Sequence, residues 1–183
     1  MKKIRLLSIF MVAILLVWCG SNSEKEDTTT NENYVYSPDS EYNIKLSDIT
    51  NTCYDTMSDT INQYDQYKLW TSTAKIAKTI SSAITTCETS ADQINSLWSR
   101  DWDSSMRDGA IILIDKILSS LRLLEQTLVY LDPAEDLTPQ EVAAHNAISQ
   151  ELVALESDIN DLASELLSIQ EEFAEKYDLT LIE

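Results

Sequence analysis

AIILIDKILSSLRLLEQTLVYL, residues 110–131, is the stretch of the chain that decides the fold. Its apolar side chains recur at alternating intervals of three and four residues: Ala110, Ile114, Ile117, Leu121, Leu124, Leu128 and Leu131. This spacing aligns them on one face of an α-helix, as coiled-coil-like packing requires. The stretch therefore predicts an amphipathic helix with a single buried seam.

Three other segments carry the same helical spacing. The segment before this stretch has it at Trp70, Thr73, Ala77, Ile80, Ile84, Cys87, Ala91, Ile94 and Trp98, and the segment after it at Ile148, Leu152, Leu155, Ile159, Leu162, Leu166, Ile169 and Phe173. A weaker first segment has it at Leu46, Ile49, Cys53, Met57, Ile61 and Tyr64. Together the four segments predict an all-α fold.

Capping signals give the helix boundaries. Asp132-Pro133 ends the third helix, and Thr138-Pro139-Gln140-Glu141 combines a capping-box threonine with proline at the first helical position. Asp103 is the expected N-cap of the third helix, and the break between the first two lies near residues 66–69. Short connections favour antiparallel neighbours, so we expect an antiparallel up-down-up-down four-helix bundle with coiled-coil-like seams over residues 42–178. The alternative fuses the first two segments into one long helix.

Composition excludes several classes of function. The 183 residues include 31 acidic and 13 basic side chains, for a net charge of −18, which argues against nucleic acid as a partner. Gly20 and Gly109 are the only glycines, too few for a phosphate-binding loop or a dinucleotide fingerprint. His145 is the only histidine, and no residues are arranged for acid–base or nucleophilic chemistry. We therefore expect a non-enzymatic protein without a cofactor.

The first residues form an export signal. Lys2, Lys3 and Arg5 precede an apolar run over residues 6–18, which is shorter than the roughly 20 residues of a membrane-spanning helix. The run ends Leu-Val-Trp-Cys-Gly at residues 16–20, and a polar tract follows. This arrangement resembles the lipobox of bacterial lipoproteins. The resemblance implies cleavage before Cys19, which would become the diacylglycerol-modified first residue.

The resemblance also divides the chain into regions and implies a location. Residues 1–18 would be the signal peptide, 19–41 the lipidated cysteine with a disordered tether, 42–178 the bundle, and 179–183 a tail. More than one lipid chain anchors a protein stably, so the location would be the bacterial cell envelope. Some lipoproteins are retained in the inner membrane by an aspartate directly after the lipidated cysteine. Gly20 occupies that position here, which permits a location in the outer membrane or at the cell surface. Trp18 stands where the class prefers a small residue, so an ordinary signal peptide or a short anchor with an incidental cysteine is the alternative.

The other two cysteines predict a disulfide. Cys53 and Cys87 lie at nearly equal distances along the chain from a turn near residues 68–70, so both would reach the same height on facing helices. Disulfides persist outside the cytoplasm. The alternative is two buried free thiols that fill gaps in the core.

His145 is a candidate metal ligand, and Trp102 is a candidate aromatic anchor for a partner. Glu141 and His145 could supply two ligands from one helix, but a di-iron bundle needs more histidines and more inward carboxylates. We expect no metal, and a simple contact between His145 and Glu125. Trp102, beside Asp101 and Asp103, is the aromatic residue expected to be partly exposed and to bind a partner.

Charge is distributed unevenly among the helices. Residues 138–178 hold ten acidic side chains against Lys176 alone, and residues 41–65 hold five against Lys45, whereas the second and third helices are nearly balanced. In the expected bundle the first and fourth helices are neighbours, so their shared face would attract a basic protein. The alternative is a solvated face that keeps the domain soluble. The candidate partner-binding residues are Trp102, Glu151, Asp158, Asp161, Glu165 and Glu172.

Three functional hypotheses follow from these observations. The first is a membrane-anchored lipoprotein that acts as an acidic binding or adaptor protein of the envelope. The second is an inhibitor lipoprotein, for toxin immunity or exclusion of phage, that binds a basic incoming protein. The third, a carrier of a metal or a small ligand, would be abandoned if the purified protein held no stoichiometric metal.

Overall fold

A computed structural model of the chain describes residues 38–70, 72–97, 104–131 and 136–176. They form four α-helices: α1 (Pro38–Trp70), α2 (Thr73–Ser96), α3 (Ser104–Gln126) and α4 (Pro139–Lys176), with a 3₁₀ turn over Thr127–Tyr130 after α3. Within these ranges there is no strand, and the helices pack as a bundle. The all-α prediction is confirmed. Residues 1–37, which include the predicted signal peptide and Cys19, lie outside the described residues, as do Trp102 and residues 179–183.

Two helix ends differ from the sequence prediction. α1 begins at Pro38, so residues 38–41, assigned to the tether, are helical. Proline is favoured in the first turn of a helix, and Lys45 Nζ lies 2.7 Å from Glu41 Oε1 one turn further on. Regular α-helix ends at Gln126, earlier than the predicted Leu131, because the last turn tightens to 3₁₀ geometry.

The alternative of one long helix through α1 and α2 is wrong. In a continuous helix, Cys53 and Cys87 would lie roughly 50 Å apart at a rise of about 1.5 Å per residue. Instead they form a disulfide, with 4.7 Å between their Cα atoms. The predicted pairing is therefore confirmed, and it joins the middle of α1 to the middle of α2.

α3 is the central helix of the bundle. Nine of its 23 residues are buried, and it packs against α1, α2 and α4. Every predicted seam residue of α3 itself is buried, namely Ala110, Ile114, Ile117, Leu121 and Leu124. This large number of buried residues suits a helix with neighbours on three sides.

The buried stripe of α2 is rotated relative to the predicted seam. Its buried residues are Ile76, Ile80, Ala83, Cys87, Ser90 and Ile94. The predicted seam residues Thr73, Ala77, Ile84 and Ala91 are only half-buried. α2 packs against both α1 and α3, and the face between these two neighbours includes the small residues Ala83 and Ser90.

α4 is buried in its second half. Its buried residues are Ile159, Ala163, Leu166, Gln170, Phe173 and Ala174. The predicted core residues Ile148, Leu152 and Leu155 are half-buried, and Val153 is 42% exposed. With 38 residues, α4 is much longer than α3, and Leu152 in its first half packs on a small core cluster that includes Leu124 near the end of α3.

Candidate binding surface on α1 and α4

An acidic row runs along the exposed side of α4. It consists of Glu151, Asp158, Glu165 and Glu172, all exposed, at intervals of seven residues. Seven residues make almost two helical turns, so the row is nearly straight, with a step of roughly 10 Å and a drift of about 20° per heptad. Asp161 is also exposed, on an adjacent line of the same helix. All five predicted α4 residues are therefore open to solvent.

The start of α4 is fixed by the predicted capping box. Thr138 N–H donates to Glu141 Oε2 at 2.7 Å, and Glu141 N–H donates to Thr138 Oγ1 at 3.3 Å. The Thr138 hydroxyl also donates to Glu141 Oε2, at 2.7 Å. These bonds from the Thr138 backbone and side chain lower the pKa of Glu141. They satisfy donors that a helix start otherwise leaves without partners.

Cations of the protein neutralise little of this row. Lys116 of α3 donates to Asp158 Oδ2 at 2.7 Å, which makes Asp158 the one row member with an ion pair within the described ranges. Arg122 of α3 lies 2.9 Å from Glu88 of α2 and so serves the opposite side of the bundle. The negative charge at the other three row positions therefore faces solvent.

Carboxylates of α1 approach α4 near the middle of both helices. The pKa of Tyr54 on α1 is raised by its burial and by the negative charges of Asp55 and Glu156. Glu156, on α4, is half-buried, and burial raises its pKa. Burial and the nearby Asp59 raise the pKa of Asp55 as well. An acidic group from each of the two helices therefore lies near Tyr54.

A buried polar cluster joins α1 and α4 nearer the end of α4. Gln170 Nε2 donates to Ser47 Oγ at 2.9 Å and to Asn43 Oδ1 at 3.3 Å. A cavity of about 10 Å³ beside it is lined by Leu46, Ser47, Thr50, Met106, Leu166 and Gln170. That volume is near the lower limit for one water molecule. The apolar spacing of the sequence does not indicate this cluster, although Asn43, Ser47 and Thr50 recur at helical spacing beside Leu46.

His145 packs against an aromatic ring. Its imidazole meets Tyr130 edge to face, with 5.2 Å between the ring centroids. The predicted contact with Glu125 stays a prediction. Among the described residues, no three side chains of the His, Cys, Asp and Glu types are grouped as a metal site would need. Trp102, the sixth candidate for partner binding, lies outside the described residues.

Comparisons of the chain with protein-family models, with curated proteins and with solved structures found no match. None of the helices in the described ranges has both the length and the apolar character needed to cross a membrane.

Proposed function

We propose that this chain is a lipid-anchored protein of the bacterial cell envelope, attached through Cys19, which works by binding and not by catalysis. Its partner is a basic protein that docks on the acidic face of α1 and α4. The cationic start, the apolar run and the cysteine at residue 19 support the anchor. Charge complementarity of this kind speeds the encounter of two proteins and selects the partner.

The observation that carries this proposal is the acidic row of α4. Glu151, Glu165 and Glu172 are exposed at regular spacing and form no ion pair within the described residues. Exposed charges of one sign repel one another, and exposed charges contribute little to the stability of a fold. The acidic row therefore does not stabilise the folded chain. A basic partner would provide the missing positive charges.

We also propose that the four helices alternate in direction as an antiparallel up-down-up-down bundle with coiled-coil-like seams. Leu46 near the start of α1, Met106 at the start of α3 and Gln170 near the end of α4 line the same small cavity. The hydroxyl of Tyr64, near the end of α1, and that of Thr127, just after α3, share a hydrogen bond of 2.7 Å. Leu152, in the first half of α4, packs on the cluster of Tyr64. Contacts at the two ends therefore agree with alternating directions.

A pair of charge variants tests the binding proposal. One variant neutralises the acidic row by E151Q, D158N, E165Q and E172Q. The control removes as many exposed acids from the other helices by E88Q, D92N, D115N and E125Q. Each variant is produced in cells that have its native membrane. It carries a photo-crosslinking amino acid in place of Ser168, which is an exposed residue of α4.

We expect the unaltered protein and the control to crosslink to one basic protein, and the row variant to lose that product. Raising the salt concentration should weaken the crosslink, because exposed charges more than about 10 Å apart are screened at about 0.1 M salt. Equal crosslinking by the two charge variants would contradict the proposal. A captured partner that is a toxin would identify the protein as an inhibitor, and a resident envelope protein would identify it as an adaptor.

A further inference from the structure

The first half of α4 has an apolar face that the other described helices cover only in part. No residue from 139 to 158 is buried, whereas Ile159, Ala163 and Leu166 in the second half are 3% exposed or less. At 3.6 residues per turn, the large apolar residues of the first half fall within about half of the helix circumference. They form the α4 apolar face, which consists of Val142, Ile148, Leu152, Val153 and Leu155.

Exposure is greatest at Val153, whose side chain is 42% open to solvent. The other four members of the face are half-buried, because Leu152 packs on the core cluster of Tyr64 and the 3₁₀ turn after α3 contacts α4. Val129 of that turn is 70% exposed. Two of the four exposed large apolar residues in the described ranges therefore belong to elements that meet at this end of the bundle.

Acidic side chains border the α4 apolar face. Residues 136–158 include five acids and no lysine or arginine. Glu151 lies four residues before Leu155 and Asp158 three residues after it, so both are its neighbours on the helix surface. Glu151 and Asp158 also begin the acidic row. The apolar face and the row therefore form one continuous surface, apolar along one side and negatively charged along the other.

The charge of this surface distinguishes among its possible occupants. A second copy of the chain would bring the same acidic border, and like charges in contact repel. Residues 19–37 contain four acids against Lys25, and residues 177–183 contain two acids and no lysine or arginine. The basic residues 1–18 are removed in the proposed lipoprotein. The complementary occupant is therefore a segment of another protein, with lysine or arginine beside its apolar residues.

We propose that the α4 apolar face is the docking site for an amphipathic, basic α-helix of the partner. Its apolar side chains would cover Val153 and Leu155, and its lysine or arginine side chains would lie over Glu151 and Asp158. An amphipathic helix that lays its apolar side on an apolar surface is a common mode of recognition. This inference rests on the proposed function, and it adds the kind of partner segment that the acidic face binds.

Three synthetic peptides of roughly 18 residues, about 27 Å long as helices, serve as probes. The first has leucines at helical spacing with lysines on both sides of them. The second has the same composition in an order that removes the helical spacing, and the third has glutamate in place of lysine. The full protein, purified from its native membrane, is placed in phosphatidylcholine nanodiscs. Isothermal titration calorimetry measures the dissociation constants, with empty nanodiscs as the blank.

V153Q and A154Q are the matched variants of the protein. Both place glutamine, a good helix former, at an exposed position, but Ala154 lies on the opposite side of α4 from the apolar face. V153Q should raise the dissociation constant of the first peptide about threefold to tenfold, because about half of a valine side chain would no longer be buried on binding. A154Q should leave the constant unchanged. Far-UV circular dichroism confirms that both variants keep their helices.

The peptides separate this inference from the proposed function. We expect the first peptide to bind much more tightly than the second, and the glutamate peptide not to bind. Equal binding of the two lysine peptides, or equal effects of V153Q and A154Q, would overturn helix docking and leave recognition of a basic partner standing. Binding of the glutamate peptide as tight as that of the first peptide would contradict both.

Discussion

At the scale of single residues, Gln170 contributes to stability through hydrogen bonds and not through apolar burial. It is 7% exposed, and its amide donates to Asn43 and Ser47 across the seam between α1 and α4. Q170A would leave these acceptors without a donor beside a small cavity. We expect the free energy of unfolding to fall by about 1–3 kcal/mol, as measured by urea denaturation.

The matched control is Q150A, which removes an exposed glutamine from the same helix. It should change the free energy of unfolding by less than about 0.5 kcal/mol. Equal effects of the two variants would mean that the Gln170 cluster does not hold α4 to α1.

Glu141 makes the start of α4 sensitive to pH. Its pKa is lowered in the folded protein by the hydrogen bonds from Thr138. A lowered pKa stabilises the folded state above the ordinary carboxyl pKa, and this contribution is lost as the pH falls through the lowered value. E141A should therefore lower the melting temperature at about pH 7 and have a much smaller effect at about pH 2.

Thermal melts of E141A and of Q140A at both pH values make the comparison. Gln140 is the exposed neighbour of Glu141 and forms no part of the capping box. If E141A lowers the melting temperature by the same amount at both pH values, the Glu141 carboxylate does not stabilise the start of α4.

At the scale of elements, the disulfide is the strongest link between α1 and α2. Cys53 and Cys87 are 34 residues apart in sequence and completely buried. In the loop-entropy account, closing a loop of this length stabilises the folded state by about 3–4 kcal/mol. The double variant C53A/C87A should lose about that much in urea denaturation.

The unaltered protein in reductant is the matched comparison. Because the disulfide is buried, reduction should be slow under native conditions and fast once urea unfolds the chain. An unchanged denaturation midpoint in C53A/C87A would contradict the role assigned to the disulfide.

Gly109 of α3 lies beside Leu166 of α4. A Cβ atom at this position would lie 3.1 Å from Leu166 Cδ1. Leu166 also lines the small cavity beside Gln170, so its end has room to move. G109A should therefore stabilise the protein by up to about 1 kcal/mol, the helix-propensity difference between the two residues.

Thermal denaturation measures this change. G109V adds two further methyl groups at the same contact and should destabilise the protein. A lower melting temperature in G109A would show that Leu166 cannot yield.

Local sequence signals predicted the elements well. The seam of α3, the capping box at Thr138 and the pairing of Cys53 with Cys87 depend on residue spacing within a segment or across one turn. The rotated stripe of α2 and the half-exposed first half of α4 depend on which helices meet and on their relative lengths. No single segment contains that information. The hydrogen bonds of Gln170 likewise join residues 123 and 127 positions apart.

At the scale of the whole molecule, the charge distribution predicted which helices carry the exposed acids. The structure shows how exposed each acidic side chain is, and it shows that Glu156 is half-buried near α1. A count of charged residues along the sequence does not distinguish Glu156 from Glu165, because the burial of a side chain depends on how the helices pack. The sign and the number of the charges on each helix were therefore predictable, but the exposure of each side chain was not.

The anchor determines where the acidic face acts, so lipidation of Cys19 is the central claim. The intact mass of the protein extracted from its native membrane, with and without reductant, tests this claim most directly. We predict the mass of residues 19–183 plus acyl chains, with a gain of two hydrogen atoms on reduction of the disulfide. A full-length or differently cleaved chain without acyl groups would contradict the lipoprotein proposal.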